Sequence, residues 1–227
     1  MTSNRARRGR QPIALRVVAI ALGLWFWQDS PSVAGMLSGS QDRPAPEVKA
    51  ATPQPSVTVL VVYYSLTGNT EKMARAVADG VRLVPQAAAV TKRAGEVSSD
   101  DLKDADGLVL GSPTYWGNMA APMKAFIDDW WLKYKVPLTD KVGGAFASGG
   151  GETGGKENVI YSLNLAMMNG GMIIIGPLEA GFGQSGVSAL DPVNDKALKE
   201  CRDLGQRVAS VAQRLKTASP AQISKPR

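Results

Sequence analysis

The run Val57-Thr58-Val59-Leu60-Val61-Val62-Tyr63-Tyr64-Ser65-Leu66-Thr67-Gly68-Asn69-Thr70 changes character midway. Val57–Tyr63 is continuously β-branched, aliphatic and aromatic, without polar alternation, the pattern of a strand buried on both faces of a parallel sheet. Ser65–Thr70 is short, polar and broken by Gly68, and Glu71–Leu83 then carries Met73, Ala76, Val77 and Val81 at helical spacing, with Pro85 beyond its end. Strand, tight turn and helix in direct series make the first half of a βαβ unit.

The same alternation continues along the chain. Ala88–Thr91 reads as a second strand and Leu108–Leu110 as a third, ending in Gly111-Ser112-Pro113. Met119–Trp131 reads as a helix with Met123, Phe126, Ile127 and Trp130 on one side. Val142–Ala147 reads as a fourth strand, Glu157–Met168 as a helix, Met172–Ile175 as a fifth apolar run and Asn194–Leu215 as a closing amphipathic helix. These elements predict an α/β domain over residues 57–217 with a five-stranded parallel sheet. In the order 2-1-3-4-5 the topological switch point lies between the ends of strands one and three. Ligands bind outside the carboxyl ends of the strands there, so chemistry is expected in the loops after strands one, three and four.

Composition excludes several chemistries. The chain of 227 residues has no His and one Cys, so no Ser-His-Asp triad, Cys-His pair or HExxH zinc site can be built. Cys201 alone forms no disulfide framework or cysteine metal cluster and reads as a packing residue, as do Met167 and Met168. Trp130 and Trp131 read as helix-end core or a subunit contact. The net charge of +6 sits in the termini, because residues 57–217 hold 17 basic and 17 acidic side chains. With no Lys/Arg-rich run in that stretch, no nucleic-acid partner is expected.

The first 37 residues form a leader: Arg5, Arg7, Arg8 and Arg10, then the apolar Val17–Trp27, then Ser32-Val33-Ala34. That is the order of a secretory signal, and its apolar run is short for a bilayer span. The expectation is an exported, periplasmic or membrane-tethered protein that meets a membrane only through this leader. The alternative is a cytoplasmic one, should translation start at Met36. Residues 38–56, rich in Pro and Ala, read as a linker, and 218–227 as a flexible tail.

Three loops carry the candidate site. In Ser65, Leu66, Thr67, Gly68, Asn69 and Thr70, backbone N–H groups and three hydroxyls converge on the positive end of a helix, which suits a phosphate monoester. The competing reading is an ordinary turn capped by Asn69 or Thr70. Pro113, Thr114, Tyr115, Trp116, Gly117 and Asn118 set two aromatics in a loop where a planar ring can stack. Ser148, Gly149, Gly150 and Gly151 open a Gly-rich loop that lets a ring lie against backbone, and it continues to Lys156-Glu157. Gly150-x4-Gly155-Lys156 approaches a nucleotide-triphosphate loop, but Glu157 stands where the Mg²⁺-binding hydroxyl belongs. Gly181–Gly186 is formally GxGxxG, but it follows the last strand, so it is not a dinucleotide fingerprint.

Together these stretches resemble a known family. Ser65–Thr70 resembles the phosphate loop of flavodoxin-like proteins. Gly111–Met119 is similar to the G-T-P-T-x-x-G-N-M segment of NAD(P)H:quinone oxidoreductases of the tryptophan-repressor-binding-protein type. Phe146–Glu157 is similar to that family's S-T-G-T-G-G-G-Q-E segment, with about one residue inserted. The resemblance implies a flavodoxin-like three-layer sandwich that binds FMN, with the phosphate on Ser65–Thr70 and the isoalloxazine against Pro113–Asn118 and Ser148–Gly151. It implies electron transfer from NAD(P)H to a quinone, no metal, no named catalytic side chain, and a homo-oligomer. Asn169-Gly170 stands where the family often has a His near the flavin, and the connection between strands two and three is short. Both departures bear on acceptor choice and assembly. The alternative is a flavodoxin-like electron carrier docking on a redox partner. Export sits awkwardly with NAD(P)H, a cytoplasmic reductant.

Overall fold

The computed structural model describes residues 56–179 and 182–218. The leader, almost all of the linker and almost all of the tail lie outside the described residues.

The first strand, β1 (Val57–Tyr63), feeds α1 (Asn69–Arg82), and β2 (Ala87–Arg93) returns beside it. A single 3₁₀ turn leads into α2 (Ser99–Asp104), then β3 (Gly107–Tyr115), the short β4 (Asn118–Met119) and α3 (Ala121–Asp129). A π-helical turn, Trp130–Tyr134, prolongs α3. Next come β5 (Val142–Gly149), α4 (Lys156–Asn169), β6 (Ile173–Ile174), β7 (Leu178–Glu179), β8 (Phe182–Gly183), β9 (Val187–Leu190) and α5 (Asp195–Thr217). The sheet runs β2-β1-β3-β5-β6 in parallel, with β9 also on β5 and β4 antiparallel to β3. This is the flavodoxin-like order 2-1-3-4-5, with β5 as the fourth strand and β6 and β9 sharing the fifth place.

Period-two alternation along β1 divides the core. Val57, Val59, Val61 and Tyr63 face α1 and α5, where they meet Met73, Val77, Val81, Leu204 and Val208. Leu60 and Val62 face the other layer with Leu108, Leu110, Leu102, Met123, Phe126, Trp130 and Leu163. Burying each such side chain contributes roughly 1.5–3 kcal/mol. A Cβ on Gly205 would overlap the Val77 carbonyl and one on Gly80 the Arg202 carbonyl, so these two glycines let α1 and α5 cross in near backbone contact.

Several elements depart from the sequence expectation. The third strand runs on from Leu110 to Tyr115, because Gly111–Pro113 pairs with Phe146–Ser148 of β5. The fifth strand is divided: β6 pairs with Val142–Gly143 and β9 with Phe146–Gly149. The segment between them is tied at both ends, by Arg207 donating to the Gly176 carbonyl and Asn164 donating to the Ser185 carbonyl at 2.6 Å. Helix α2, at six residues, is too short for its periodicity to show in the sequence. Met168 is exposed rather than core, whereas Met167 and Cys201 are fully buried. Burial pushes the Cys201 thiol far above its ordinary value, which keeps it unreactive. Trp130 is buried, with its Nε1 donating to the Val136 carbonyl at 3.0 Å, and Trp131 stacks on it half-exposed.

Candidate functional site

Parallel pairing aligns the carboxyl ends of β1, β3 and β5, and the three candidate loops leave from those ends. The first turns at Gly68, whose φ of 87° is left-handed and open to glycine without strain. That residue occupies the cap position of α1, and no side chain caps the helix. The amides of Asn69, Thr70 and Glu71 therefore have neither an intrahelical acceptor nor a side-chain substitute. Capping by Asn69 or Thr70, the competing reading, does not occur. Asn69 Nδ2 instead reaches Thr67 Oγ1 at 3.4 Å. Ser65 is buried and its Oγ accepts from the Gly68 N–H at 3.1 Å, which fixes the turn and leaves the hydroxyl proton to donate. Leu66 and Thr67 form the exposed rim.

Arg93, at the end of β2, supports this loop from behind. Its guanidinium donates to the Ser65 carbonyl at 3.1 Å and to Glu71 at 2.7 Å, and lies 5.4 Å from the Tyr63 ring centre. The loop itself holds no cation, as its sequence requires, but the fold brings one to its back. Sequence reasoning missed Arg93, because only strand pairing places it there.

The second candidate loop is a strand end and a tight hairpin rather than an open loop. Pro113, Thr114 and Tyr115 belong to β3; Thr114 pairs with Met119 and Tyr115 with Asn118, leaving Trp116 and Gly117 as the turn. Both turn residues have positive φ, 52° and 78°. Ser112 Oγ, fully buried, accepts from the Ala120 N–H at 2.9 Å and so closes the base of the hairpin. Trp116 stands fully exposed at the tip, with Tyr115 partly exposed beside it. Burial raises the Tyr115 phenol above its ordinary value, helped by Tyr64 and the Asp191 carboxylate.

Ser148 and Gly149 end β5, and Gly150 and Gly151 begin the true loop. The three stretches meet. Thr70 Oγ1 and Ser148 Oγ are hydrogen-bonded at 3.0 Å, both buried. A Cβ on Gly149 would lie 3.3 Å from Thr114 Cβ, and one on Gly155 would lie 3.0 Å from Gly117 Cα. Nothing lies within 4 Å of a Cβ built on Gly150, so that side of the loop is open. Lys156, the cation of the near-miss triphosphate loop, turns inward: its Nζ donates to the carbonyls of Gly151 at 2.5 Å and Glu152 at 3.1 Å.

Two buried oxygens at this junction have no partner among the described residues: Thr114 Oγ1, and Oδ1 of Asp191 at the end of β9. The Asp191 N–H is held by the Gly149 carbonyl at 3.1 Å. An unmatched buried hydroxyl beside an uncapped helix end is the situation a polar ligand relieves. The arrangement offers amides and hydroxyls for a phosphate, an aromatic wall, and backbone for a ring edge, which fits FMN. It offers no imidazole.

Comparison with known proteins gives a consistent picture. Residues 85–186 match the profile of the family described as NADPH-dependent FMN reductase. The chain is 34% identical over 159 residues to "NAD(P)H dehydrogenase (quinone)" of Geobacter sulfurreducens, covering 59% of this chain and 78% of that protein. It is 35% identical over 156 residues to "Flavodoxin" of Aquifex aeolicus, covering 66% and 84%. Among solved structures, the flavodoxin, WrbA-like protein of Agrobacterium tumefaciens superposes with a TM-score of 0.57 at 30% identity, covering 70% of this chain and 98% of that one.

Proposed function

The chain belongs to the flavodoxin-like family of NAD(P)H dehydrogenases (quinone) and FMN reductases, and from that membership we propose that it passes electrons from NAD(P)H to a quinone. It is an FMN-dependent oxidoreductase with NAD(P)H as donor. When bound, FMN would supply the capacity to accept a hydride from the nicotinamide and to deliver the electron pair to an acceptor, so that NAD(P)H, a quinone and one proton become NAD(P)⁺ and a quinol.

Ser65–Thr70 holds the phosphate through the free first-turn amides of α1 and the Ser65 hydroxyl. The orphaned Thr114 Oγ1 would meet a polar atom of the cofactor. Tyr115 and Trp116 would wall one side of the ring, and Ser148–Gly151 would let its edge lie against backbone. The chain has no His to carry the proton, and the open Gly150 side gives solvent a route to the site.

The carrying observation is the Thr70–Ser148 contact beside the uncapped start of α1, which draws a phosphate loop and a ring-edge loop to one point. A carrier role, in line with the name of the Aquifex relative, is disfavoured by the charge balance of residues 57–217, since a docking carrier relies on a one-signed field. Fluorescence quenching tests the cofactor assignment directly. The full chain should bind FMN at least tenfold more tightly than riboflavin, because only FMN carries the phosphate. Equal affinities for the two would remove the role given to Ser65–Thr70.

A further inference from the structure

Lys156, the first residue of α4, is only 4% exposed. Among the described residues no carboxylate lies within ion-pairing distance of its Nζ. Among those residues, its bonds are to the carbonyls of Gly151 and Glu152. A buried ammonium with carbonyl partners alone keeps its positive field, because dipoles satisfy its protons without cancelling its charge. The side chain runs beneath Gly149, whose Cβ would lie 3.3 Å from Lys156 Cγ and equally close to Thr114 Cβ. It thus passes along the floor next to the unpartnered Thr114 hydroxyl.

The bonds also orient the loop. In a trans peptide the C=O and the following N–H point in opposite directions. Drawing the Gly151 and Glu152 carbonyls down onto Nζ turns the N–H groups of Glu152 and Thr153 away from it. The family segment that this stretch resembles has Gln at this place, which can hydrogen-bond but carries no charge.

Resting on the FMN reading above, we propose that Lys156 is a positioning and charge-supplying residue that makes the site bind reduced FMN in preference to oxidised FMN. Two-electron reduction with uptake of one proton leaves one negative charge on the ring system. The Lys156 field favours that charge. The residue touches the loop and acts through it.

The test uses the full chain loaded with FMN and two readouts other than turnover: the dissociation constant of oxidised FMN and the two-electron midpoint potential. In K156Q the preference for reduced over oxidised cofactor should fall about tenfold, which is a potential about 30 mV lower, with oxidised FMN bound within threefold of wild type. K156R should keep the wild-type potential. A K156Q protein that binds FMN and keeps the wild-type potential overturns the inference. Should K156Q fail to fold, proton uptake by the wild-type holoprotein decides instead. One proton per electron pair on the acid side of neutrality is expected, and two protons overturn the inference. A wild-type chain that binds no FMN overturns the cofactor reading itself, a failure seen before any variant is made.

Discussion

Thr70 Oγ1 and Ser148 Oγ meet at 3.0 Å in the buried floor of the crevice, joining the first turn of α1 to the end of β5 across 78 residues of sequence. Neither hydroxyl has water to fall back on, so removing one orphans the other. Thr70→Val and Ser148→Ala should each cost about 1–2 kcal/mol of stability, and the double variant should cost less than the sum. Urea unfolding of the four proteins measures this, and strict additivity would show that the contact contributes nothing of its own.

Gly68 separates backbone strain from ligand access. Its φ of 87° is left-handed, yet nothing lies within 4 Å of an added Cβ. Gly68→Ala should cost about 1 kcal/mol in the free protein and weaken FMN binding more than riboflavin binding. An equal loss for both ligands would place the phosphate elsewhere.

Trp116 combines full exposure with a φ of 52°. Trp116→Gly relieves the left-handed strain and should raise stability by about 0.5–1 kcal/mol. Loss of its ring from the crevice should raise the quinone KM roughly twofold to tenfold. A KM unchanged in the folded variant would remove Trp116 from the acceptor's path.

Asp101 ties α2 to the sheet. Burial alone would raise its pKa, but bonds from Lys92 at 2.7 Å and from Ser98 outweigh burial and hold the carboxyl below its ordinary value. A depressed folded-state value means stability that is fully present above the ordinary carboxylate range and is lost as the pH falls through the folded value. Asp101→Asn should therefore cost about 1 kcal/mol at neutrality and progressively less in acid. A constant difference across that range would contradict the assignment.

Much of the fold is legible in the sequence. The unbroken apolar run of β1 and the polar turn after it declare a buried parallel strand and its ligand loop, because both patterns are local. What escaped was either too short for periodicity or made by distant chain. Helix α2 has six residues, though its capping box, Ser98 with Asp101, was a readable sign. The second half of the fifth strand, Val187–Leu190, is four residues beyond a glycine-rich segment, and only pairing with Phe146–Gly149 identifies it. Lys156 stood out as a near-miss motif, but its inward course depends on where the Gly151 and Glu152 carbonyls turn. Arg93 gave no local sign at all.

Anaerobic absorbance spectroscopy of the full-length holoprotein tests most directly the proposed passage of electrons from NAD(P)H through FMN to a quinone. Stoichiometric NADH or NADPH should bleach the flavin band, and a quinone added next should restore it with formation of quinol. A bound flavin that neither nucleotide bleaches, or that bleaches and is not restored by quinone, would contradict the account.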